Sequence, residues 1–447
     1  MHTRIESDLL GEIEVPAQAL YGAQTQRALN NFPLGRQHTL GSYPALVKAL
    51  LQIKQAAART NLAIGALPAD KAQAILLAAE NVLAAADREL FPIHALHGGG
   101  GTSANMNVNE VLANLAEEHL GGQRGHYRLI HPNDHVNLNQ STNDVYPTAC
   151  HMAILAEWPT LRHALEKLVA TLNAKAQEYA HVRRITRTCL QDAVDNTYGD
   201  FFTGQANFFV RSLHRVGQAV EALHAVNLGG TIVGRAEDVP EGYLQNIIPH
   251  LREVTGDAAF QHATSLFDAA QNADDVVAVS AQLDVLARGL IKISQDLRLL
   301  NSGPEAGLAE IVLPAVQPGS SIMPGKVNPA IPEFVMQMAF IVMGNHTACA
   351  SALNHGELDL NIWESVMVTA VLESMELLAD ATTTLAEKCL AGLTVNIAHN
   401  ARNADTLVPF LVRLSRQHGY SRVNAVCKEA RGDVKLLHEL LVARLGE

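Results

Sequence analysis

The spacing of apolar residues along the chain predicts long amphipathic helices. The clearest pattern runs from Asp268 to Leu300, where apolar residues recur at alternating spacings of three and four. These residues are Val276, Val279, Leu283, Leu286, Leu290, Ile293, Leu297 and Leu300. Such a heptad seam is typical of helices that pack lengthwise in a bundle. At roughly 1.5 Å per residue, the helix would be about 50 Å long.

Further helical patterns alternate with polar or Gly-rich segments, and strand patterns are sparse. The best strand pattern is Glu12-Ile13-Glu14-Val15, which predicts one arm of a hairpin. The other helical patterns fall at about 42–59, 69–90, 103–120, 145–180, 194–226, 330–352 and 364–391. We therefore predict a mostly α-helical, all-α fold with a long central bundle. The predicted domains are an N-terminal domain over 1–140, a central helical-bundle domain over 141–392 and a short C-terminal domain over 393–447.

Amino-acid composition and net charge indicate which partners and which cellular location to expect. Hydrophobic residues make up 48% of the chain and charged residues only 17%, which favours apolar helix faces that other subunits cover. With a net charge of −12, no nucleic-acid or membrane partner is predicted. The five cysteines are widely spaced and include no CxxC pair, so neither a disulfide framework nor a thiolate zinc site is indicated. Without a signal peptide or an apolar run of about 18 residues, we predict a cytoplasmic protein.

Three polar segments beside long helices are candidates for ligand binding. The first reads His97-Gly-Gly-Gly-Gly-Thr-Ser-Ala-Asn-Met-Asn-Val-Asn-Glu110. Its glycines let the backbone approach a ligand closely, and Thr102 and Ser103 open a helix whose free amides favour an anion. A flexible loop followed by a Ser or Thr helix cap explains this segment as well.

The second segment reads His131-Pro-Asn-Asp-His-Val-Asn-Leu-Asn-Gln-Ser-Thr-Asn-Asp144 and leads into a long apolar helix. Ser141, Thr142 and Asn143 are neutral donors in a row, suited to holding a carboxylate without adding charge. The alternative is again a helix cap, formed by Ser141 or Asp144.

The third segment, Pro318-Gly-Ser-Ser-Ile-Met-Pro-Gly-Lys-Val-Asn-Pro329, is too rich in Gly and Pro for a helix or a central strand. Lys326 and Asn328 are two residues apart, so in an extended stretch their side chains point the same way. With the hydroxyls of Ser320 and Ser321, this segment is a candidate lid over an anionic ligand.

Together the three segments resemble the signature regions of the fumarase/aspartase superfamily, whose hallmark loop reads GSSIMPGKVNP. The resemblance extends to residues 4–16, 21–27, 296–304 and 360–361 and covers about residues 3–400. It implies a homotetramer with a core of twenty central helices and with active sites shared between three subunits. It also implies a small dicarboxylate substrate and neither a metal nor an organic cofactor.

The resemblance further implies a role for each matching residue. Members of the superfamily remove a proton beside a carboxylate, and the next carbon then loses its leaving group, which gives fumarate. Ser320 corresponds to the catalytic base, a hydroxyl that needs loop closure and backbone amides to become an oxyanion. The groups implied for one carboxylate are Thr102, Ser141, Thr142 and Ser321, with Ser103 as a neighbouring binding residue. Those implied for the other carboxylate are Lys326, Asn328 and Thr188, while Asn143 would face the leaving group.

One region departs from the family pattern. Members read Gly-Arg-Thr-His, or Gln in some aspartases, before Leu-Gln-Asp-Ala, whereas this chain reads Thr186-Arg-Thr-Cys189. Cys189 thus replaces a histidine that in fumarases pairs with a glutamate, here Glu333, and handles the leaving water. A thiol, with an ordinary pKa of about 8.5, is a poor proton carrier for water beside a carboxylate. Glu364, where fumarases tend to carry a basic residue, also departs from the fumarase pattern.

These departures favour cleavage of a carbon–nitrogen bond. The predicted reaction is elimination of ammonia, or of a substituted amine, from aspartate or an aspartate-like succinate through an aci-carboxylate intermediate. A fumarate hydratase is the first alternative, since Gly325 and the stretch 22–27 read more like fumarase. A lyase with a bulkier leaving group is the second, because Cys189 would open space there. A non-catalytic descendant is the third, and the joint presence of Ser320, Lys326 and Asn328 argues against it.

Overall fold

The computed structural model describes residues 2–35 and 37–446 as a mostly α-helical chain. This confirms the all-α prediction, with strands confined to short two-stranded sheets. The chain divides into two compact units. The larger unit comprises Met1–His163, Ser212–Arg288 and Met338–Asp380, and the smaller unit comprises Ala164–Arg211, Gly289–Gln337 and Ala381–Glu447.

The helices follow the predicted apolar patterns to within a few residues at most ends. In chain order they are α1 Ala23–Asn31, α2 Pro44–Ala63, α3 Ala69–Ala85, α4 Thr102–His119, α5 Thr142–Glu178, α6 Tyr198–Ala222, α7 Tyr243–Thr255, α8 Leu266–Gln271, α9 Asp274–Leu300, α10 Ala330–Leu353, α11 Glu364–Thr384, α12 Ile397–Ala404, α13 Leu407–His418, α14 Tyr420–Ala430 and α15 Val434–Leu445. Short 3₁₀ helices lie at Leu40–Ser42, Arg88–Leu90 and Ala236–Asp238, and π-helical turns at Pro132–Val136 and Leu385–Leu390. No helix in the described part of the chain has the length and apolar character that a membrane crossing requires.

The strands pair two by two. The antiparallel pairs are β1 Thr3–Asp8 with β2 Gly11–Pro16, β3 Arg183–Thr188 with β4 Gln191–Thr197, and β7 Ile311–Val312 with β8 Thr394–Val395; the parallel pair is β5 Ala225–Val226 with β6 Gln261–His262. The alternation at residues 12–15 lies within β2, and Asp8 is paired with Gly11 across a two-residue turn. This confirms the predicted N-terminal hairpin.

The division into units falls within helices. Helices α5, α6, α9, α10 and α11 each run from one unit into the other. The predicted borders near residues 140 and 392 lie in loops instead. The two compact units therefore do not test the predicted domain borders, and the three domains 1–140, 141–392 and 393–447 stay a prediction.

The heptad seam is buried along the whole of α9. Each of its eight apolar residues, from Val276 to Leu300, is at most 5% exposed. The helix begins at Asp274, and the separate short helix α8 occupies the first part of the predicted stretch. The burial confirms that the three-and-four spacing marks one face of a single long helix.

The β3–β4 hairpin corrects the predicted helix at 194–226, because residues 194–197 belong to β4 and α6 begins at Tyr198. The two strands are joined by Cys189 and Leu190, whose φ angles are 53° and 60°. Two positive φ angles define a type I′ turn, which usually carries Asn-Gly. Cys-Leu gives no such signal, and this explains why the sequence pattern hides the turn.

Candidate active site

The Gly-rich segment forms the loop before α4, in the larger unit. Gly101 precedes the helix with a φ of 87°, and a Cβ atom there would overlap the Tyr146 ring, so only glycine fits. Thr102 is exposed, and its hydroxyl donates a hydrogen bond of 2.7 Å to the carbonyl of Gly99. Helix α4 has no side-chain cap. The Ser or Thr cap considered for this segment is therefore wrong, and the first turn of the helix faces the loop uncapped.

The second segment does cap its helix, α5. The Ser141 hydroxyl oxygen accepts the amide of Asn143 at 3.2 Å, and the Asp144 carboxylate accepts the amide of Ser141 at 3.0 Å. This reciprocal arrangement satisfies two amides that the helix leaves unpaired. The cap alternative is thus correct here, and it leaves the Ser141 hydroxyl hydrogen available to a ligand.

Asp144 is a buried carboxylate that accepts hydrogen bonds from several backbone amides. Besides Ser141, it accepts the amides of Gly229 at 2.8 Å and of Thr231 at 3.2 Å. Burial raises the pKa of Asp144 to about 6, although these amides and the nearby Lys54 favour the charged form. The carboxylate therefore ties the start of α5 to the loop after β5.

A layer of buried polar groups lies beneath Ser141 and Thr142. The Lys54 ammonium, fully buried, donates to the side-chain oxygens of Asn137 at 3.0 Å and Gln140 at 2.9 Å. Burial lowers the pKa of Lys54 to about 7. The Asn137 oxygen also accepts the Asn105 amide at 3.1 Å. A buried lysine amine thus holds the residues just before the candidate anion-binding positions.

Asn105 links the first two segments. Its side-chain amide also donates to the Thr142 hydroxyl oxygen at 3.1 Å. Because that oxygen accepts a bond from Asn105, the Thr142 hydroxyl hydrogen is directed elsewhere and is available to a ligand. Asn143 is oriented separately, since its amide donates to the carbonyl of Ile232 at 2.9 Å. The larger unit therefore brings five predicted residues near one another, and we name them the helix-start cluster: Thr102, Ser103, Ser141, Thr142 and Asn143.

The third segment, residues 318–329, is an open loop in the smaller unit that we name the serine loop. Its base is closed by the amide of Gly319, which donates to the carbonyl of Lys326 at 2.8 Å, and by the Asn328 amide, which donates back to Gly319 at 2.9 Å. The Lys326 ammonium donates to the Asn328 side-chain oxygen, as the two-residue spacing predicts. Beyond this base the side chains are exposed, up to 85% at Ile322.

Ser320 lies at the start of the exposed part of the serine loop. Its hydroxyl oxygen accepts the amides of Met323 at 2.9 Å and of Ile322 at 3.2 Å. Two backbone donors at one oxygen stabilise negative charge there. Such an arrangement favours ionisation of an otherwise weakly acidic hydroxyl, and Ser321 beside it is exposed.

Thr188 and Cys189 lie at the tip of the β3–β4 hairpin, and both are exposed. The hairpin is anchored by Arg187, which forms an ion pair with the buried carboxylate of Glu310. Glu333, on the first turn of α10, has its carboxylate 3.6 Å from the Arg298 guanidinium. Within the described part of the smaller unit, Cys189 makes no hydrogen bond to Glu333, and their pairing stays a prediction.

Sequence reasoning missed the supporting layer of the helix-start cluster. Asn105 and Asn109 are four residues apart and share a helix face, and both donate to Asn137. Lys54 stands inside an otherwise apolar helical pattern, which is the signal that would have marked it as a buried cation. Over residues 2–35 and 37–446, no group of three His, Cys, Asp or Glu side chains is placed to hold a metal ion.

Comparison with known proteins places this arrangement among lyases. The profile of a family described as "Lyase" matches residues 11–344. The aspartate ammonia-lyase of Pseudomonas aeruginosa is 42% identical over 98% of this chain and 93% of its own length. The class II fumarate hydratase of Thermosynechococcus vestitus is 39% identical over 98% and 94%. A crystal structure of a cobalt-bound fumarate lyase:delta crystallin from Brucella melitensis matches with a TM-score of 0.94 and 42% identity, over 99% of this chain and 96% of that one.

Proposed function

Because the chain belongs to the fumarase/aspartase superfamily of lyases, we propose that it eliminates ammonia from aspartate to give fumarate. The reaction makes it a carbon–nitrogen lyase acting on a small dicarboxylate. Support comes from the 42% identity to an aspartate ammonia-lyase along 98% of the chain. Cys189 also supports this function. A departing hydroxide needs a proton donor, and a thiol is a poor one, whereas an amine leaves without that help.

The observation that carries the elimination chemistry is the pair of backbone amides on the Ser320 oxygen. In the proposed reaction, this oxygen takes the proton from the carbon beside one carboxylate. The electron pair moves onto that carboxylate, which becomes a doubly charged aci-carboxylate. The hydroxyls of Thr102, Ser141, Thr142 and Ser321 would donate to it, with Ser103 beside them, because preorganised donors are worth most where charge develops.

The rest of the proposed site holds the second carboxylate and the leaving group. The Lys326 ammonium, with Asn328 and Thr188, would bind the other carboxylate by charge-assisted hydrogen bonds. The Asn143 side chain would face the amine as the carbon–nitrogen bond breaks. Cys189 and Glu333 would line the side from which the amine departs.

We also propose that the active protein is a homotetramer with sites shared between subunits. Phe340 and Ile341 lie side by side on α10 and are 51% and 52% exposed in the single chain. Neighbouring apolar side chains of this size favour burial against another subunit. Light scattering on the purified protein should give four times the chain mass of 48.1 kDa. The five cysteines are free thiols, which agrees with the predicted cytoplasmic location.

The test is the ultraviolet absorbance of fumarate formed from L-aspartate and, separately, from L-malate. We expect product from aspartate alone. Product from malate alone would establish the alternative, a fumarate hydratase, which the 39% identity to such an enzyme favours. If neither reacts, an N-substituted aspartate becomes the substrate to try, because the small side chain of Cys189 would leave room for a larger group.

A further inference from the structure

A second, acidic cavity lies in the larger unit, apart from the helix-start cluster. Its volume is about 370 Å³, and it opens between α5, the loop after β6 and the starts of α9 and α11. We name it the acidic cavity after the carboxyls of Asp268, Asp274, Asp275 and Glu364 that line it. No Lys or Arg is among its described lining residues. The cavity therefore carries a negative potential that favours a cation.

Glu364 is the feature that separates this cavity from an ordinary acidic surface. It is the first residue of α11, lines the cavity and is only 5% exposed. Among the described residues, its carboxyl has no hydrogen-bond partner beyond its own backbone amide. Burial raises the pKa of Glu364 to about 8. An unpartnered buried acid is costly unless a ligand brings donors to it.

Two further titratable residues, His151 and Asp275, also line the cavity. The His151 Nδ1–H donates to the carbonyl of Leu223 at 3.1 Å, so Nε2 is the acceptor of that ring. Burial lowers the pKa of His151 to about 4, which keeps the ring neutral. The pKa of Asp275 is raised by burial and by the neighbouring charges of Asp274 and Asp268. A positively charged ligand with several N–H donors would donate hydrogen bonds to the Glu364 carboxyl. Its charge would also offset the repulsion among the carboxylates of Asp268, Asp274 and Asp275.

One residue of the cavity wall contacts the helix-start cluster. Asn227 lines the cavity, and its side-chain amide donates to the backbone carbonyl of Asn143 at 3.1 Å. Asn143 is the residue proposed to face the departing amine. Since no described group of three His, Cys, Asp or Glu side chains is placed to bind a metal, the geometry favours a cation that supplies its own donors.

We propose that the acidic cavity binds ammonium or a small primary ammonium ion, with the carboxyl oxygens of Glu364 and Asp275 as its hydrogen-bond acceptors. It would hold the amine that leaves the substrate, or supply it in the reverse direction. This link to turnover rests on the proposed ammonia-lyase function, whereas binding itself does not.

The first experiment measures binding to the full-length protein by calorimetry. The probes are ammonium and methylammonium chloride, with potassium and tetramethylammonium chloride as matched salts that have no N–H donor. We expect only ammonium and methylammonium to bind, and we expect Glu364→Gln to weaken their affinity about tenfold. Glu357→Gln is the matched control, because Glu357 is exposed on the segment before α11 and should bind like the parent. Equal binding by the parent and Glu364→Gln would overturn the proposal, and Asp275→Asn repeats the comparison if Glu364→Gln does not fold.

The second experiment follows the loss of fumarate absorbance in the presence of ammonium. In Glu364→Gln we expect the KM for ammonium to rise about tenfold, with little change in the KM for fumarate. An unchanged KM for ammonium would overturn the link to turnover. If the parent protein does not aminate fumarate at all, the proposed function fails, while the binding experiment still decides whether the cavity is an ammonium site.

Discussion

The helix-start cluster and the serine loop hold their polar groups in opposite ways. Beneath the cluster lies a layer of buried, hydrogen-bonded side chains that includes Lys54, Asn105 and Asp144. The serine loop is closed only at its base, through Gly319, Lys326 and Asn328, and its apolar side chains lie in solvent.

This difference suits the two roles that we propose, substrate binding for the cluster and proton transfer for the serine loop. Donors that must meet developing charge work best when their orientation is fixed before the substrate arrives. A base that needs water excluded works best on a segment that can close over the substrate. We therefore expect changes in the supporting layer to alter stability and substrate affinity, and changes in the serine loop to alter rate.

The largest effect should come from Ser320→Ala. Loss of the base should lower kcat by about 10²- to 10⁴-fold, because a positioned general base contributes that much. The free energy of unfolding should stay within about 0.5 kcal/mol of the parent value, since Ser320 is on an open loop. The readouts are fumarate formation and urea unfolding.

Ser321→Ala is the matched control for that change. The neighbouring hydroxyl is proposed to bind rather than to take a proton, so its loss should cost about tenfold or less. Equal losses in the two variants would remove the distinction between base and binding group.

The supporting layer should respond in stability. Asp144→Ala leaves the amides of Ser141, Gly229 and Thr231 without their acceptor, so we expect a loss of about 3 kcal/mol in the free energy of unfolding. Asp359→Ala, at an exposed carboxylate, should cost less than about 0.5 kcal/mol. Urea unfolding measures the loss of unfolding free energy in each variant. Similar losses in Asp144→Ala and Asp359→Ala would show that the buried layer does not stabilise the helix start.

A smaller effect should appear in the pH dependence of stability. The pKa of Lys54 falls from 10.5 to about 7 on burial. Between these values the unfolded chain binds a proton that the folded chain does not, so the free energy of unfolding rises with pH. From pH 7 to pH 9, the parent should gain about 2 kcal/mol relative to Lys54→Met. Lys48→Met, at an exposed lysine of the same helix, should show no such difference, and parallel curves for the parent and Lys54→Met would contradict the account.

The smallest effect should come from Asn105→Ala, which removes the donor that orients the Thr142 hydroxyl. The KM for the substrate should rise about fivefold, as expected for the loss of about 1 kcal/mol. Asn107→Ala is the control, because the Asn107 amide donates to the carbonyl of Leu90 instead. It should lower stability without changing KM. A similar KM in both variants would show that Asn105 acts on the fold alone.

The sequence predicted more of the helices than of their connections. Apolar spacing depends only on which face of a helix is buried. The seam from Val276 to Leu300 could therefore be predicted from the sequence alone. The β3–β4 hairpin was missed, because its turn uses Cys189 and Leu190 at positive φ rather than residues that favour this conformation.

Within the candidate site, sequence motifs indicated the polar residues of the loops and missed the buried residues that support them. Ser141 and Thr142 stand out because they end a polar segment that leads into a long apolar helix. Lys54 and Asn105 lie inside such patterns, and their roles depend on contacts with residues 137–142 that spacing along one helix cannot reveal. Long-range hydrogen bonds of this kind need the folded chain.

The thiol of Cys189, at the tip of the β3–β4 hairpin, is also a natural site for attaching a spectroscopic probe. Cys150, Cys349 and Cys389 are buried and Cys427 is half-buried, whereas Cys189 is exposed. A thiol-directed fluorophore or spin label should therefore attach first at residue 189, without any engineered cysteine. A label there is adjacent to Thr188, so a change in its emission or line shape on addition of substrate is expected if Thr188 binds the substrate as proposed.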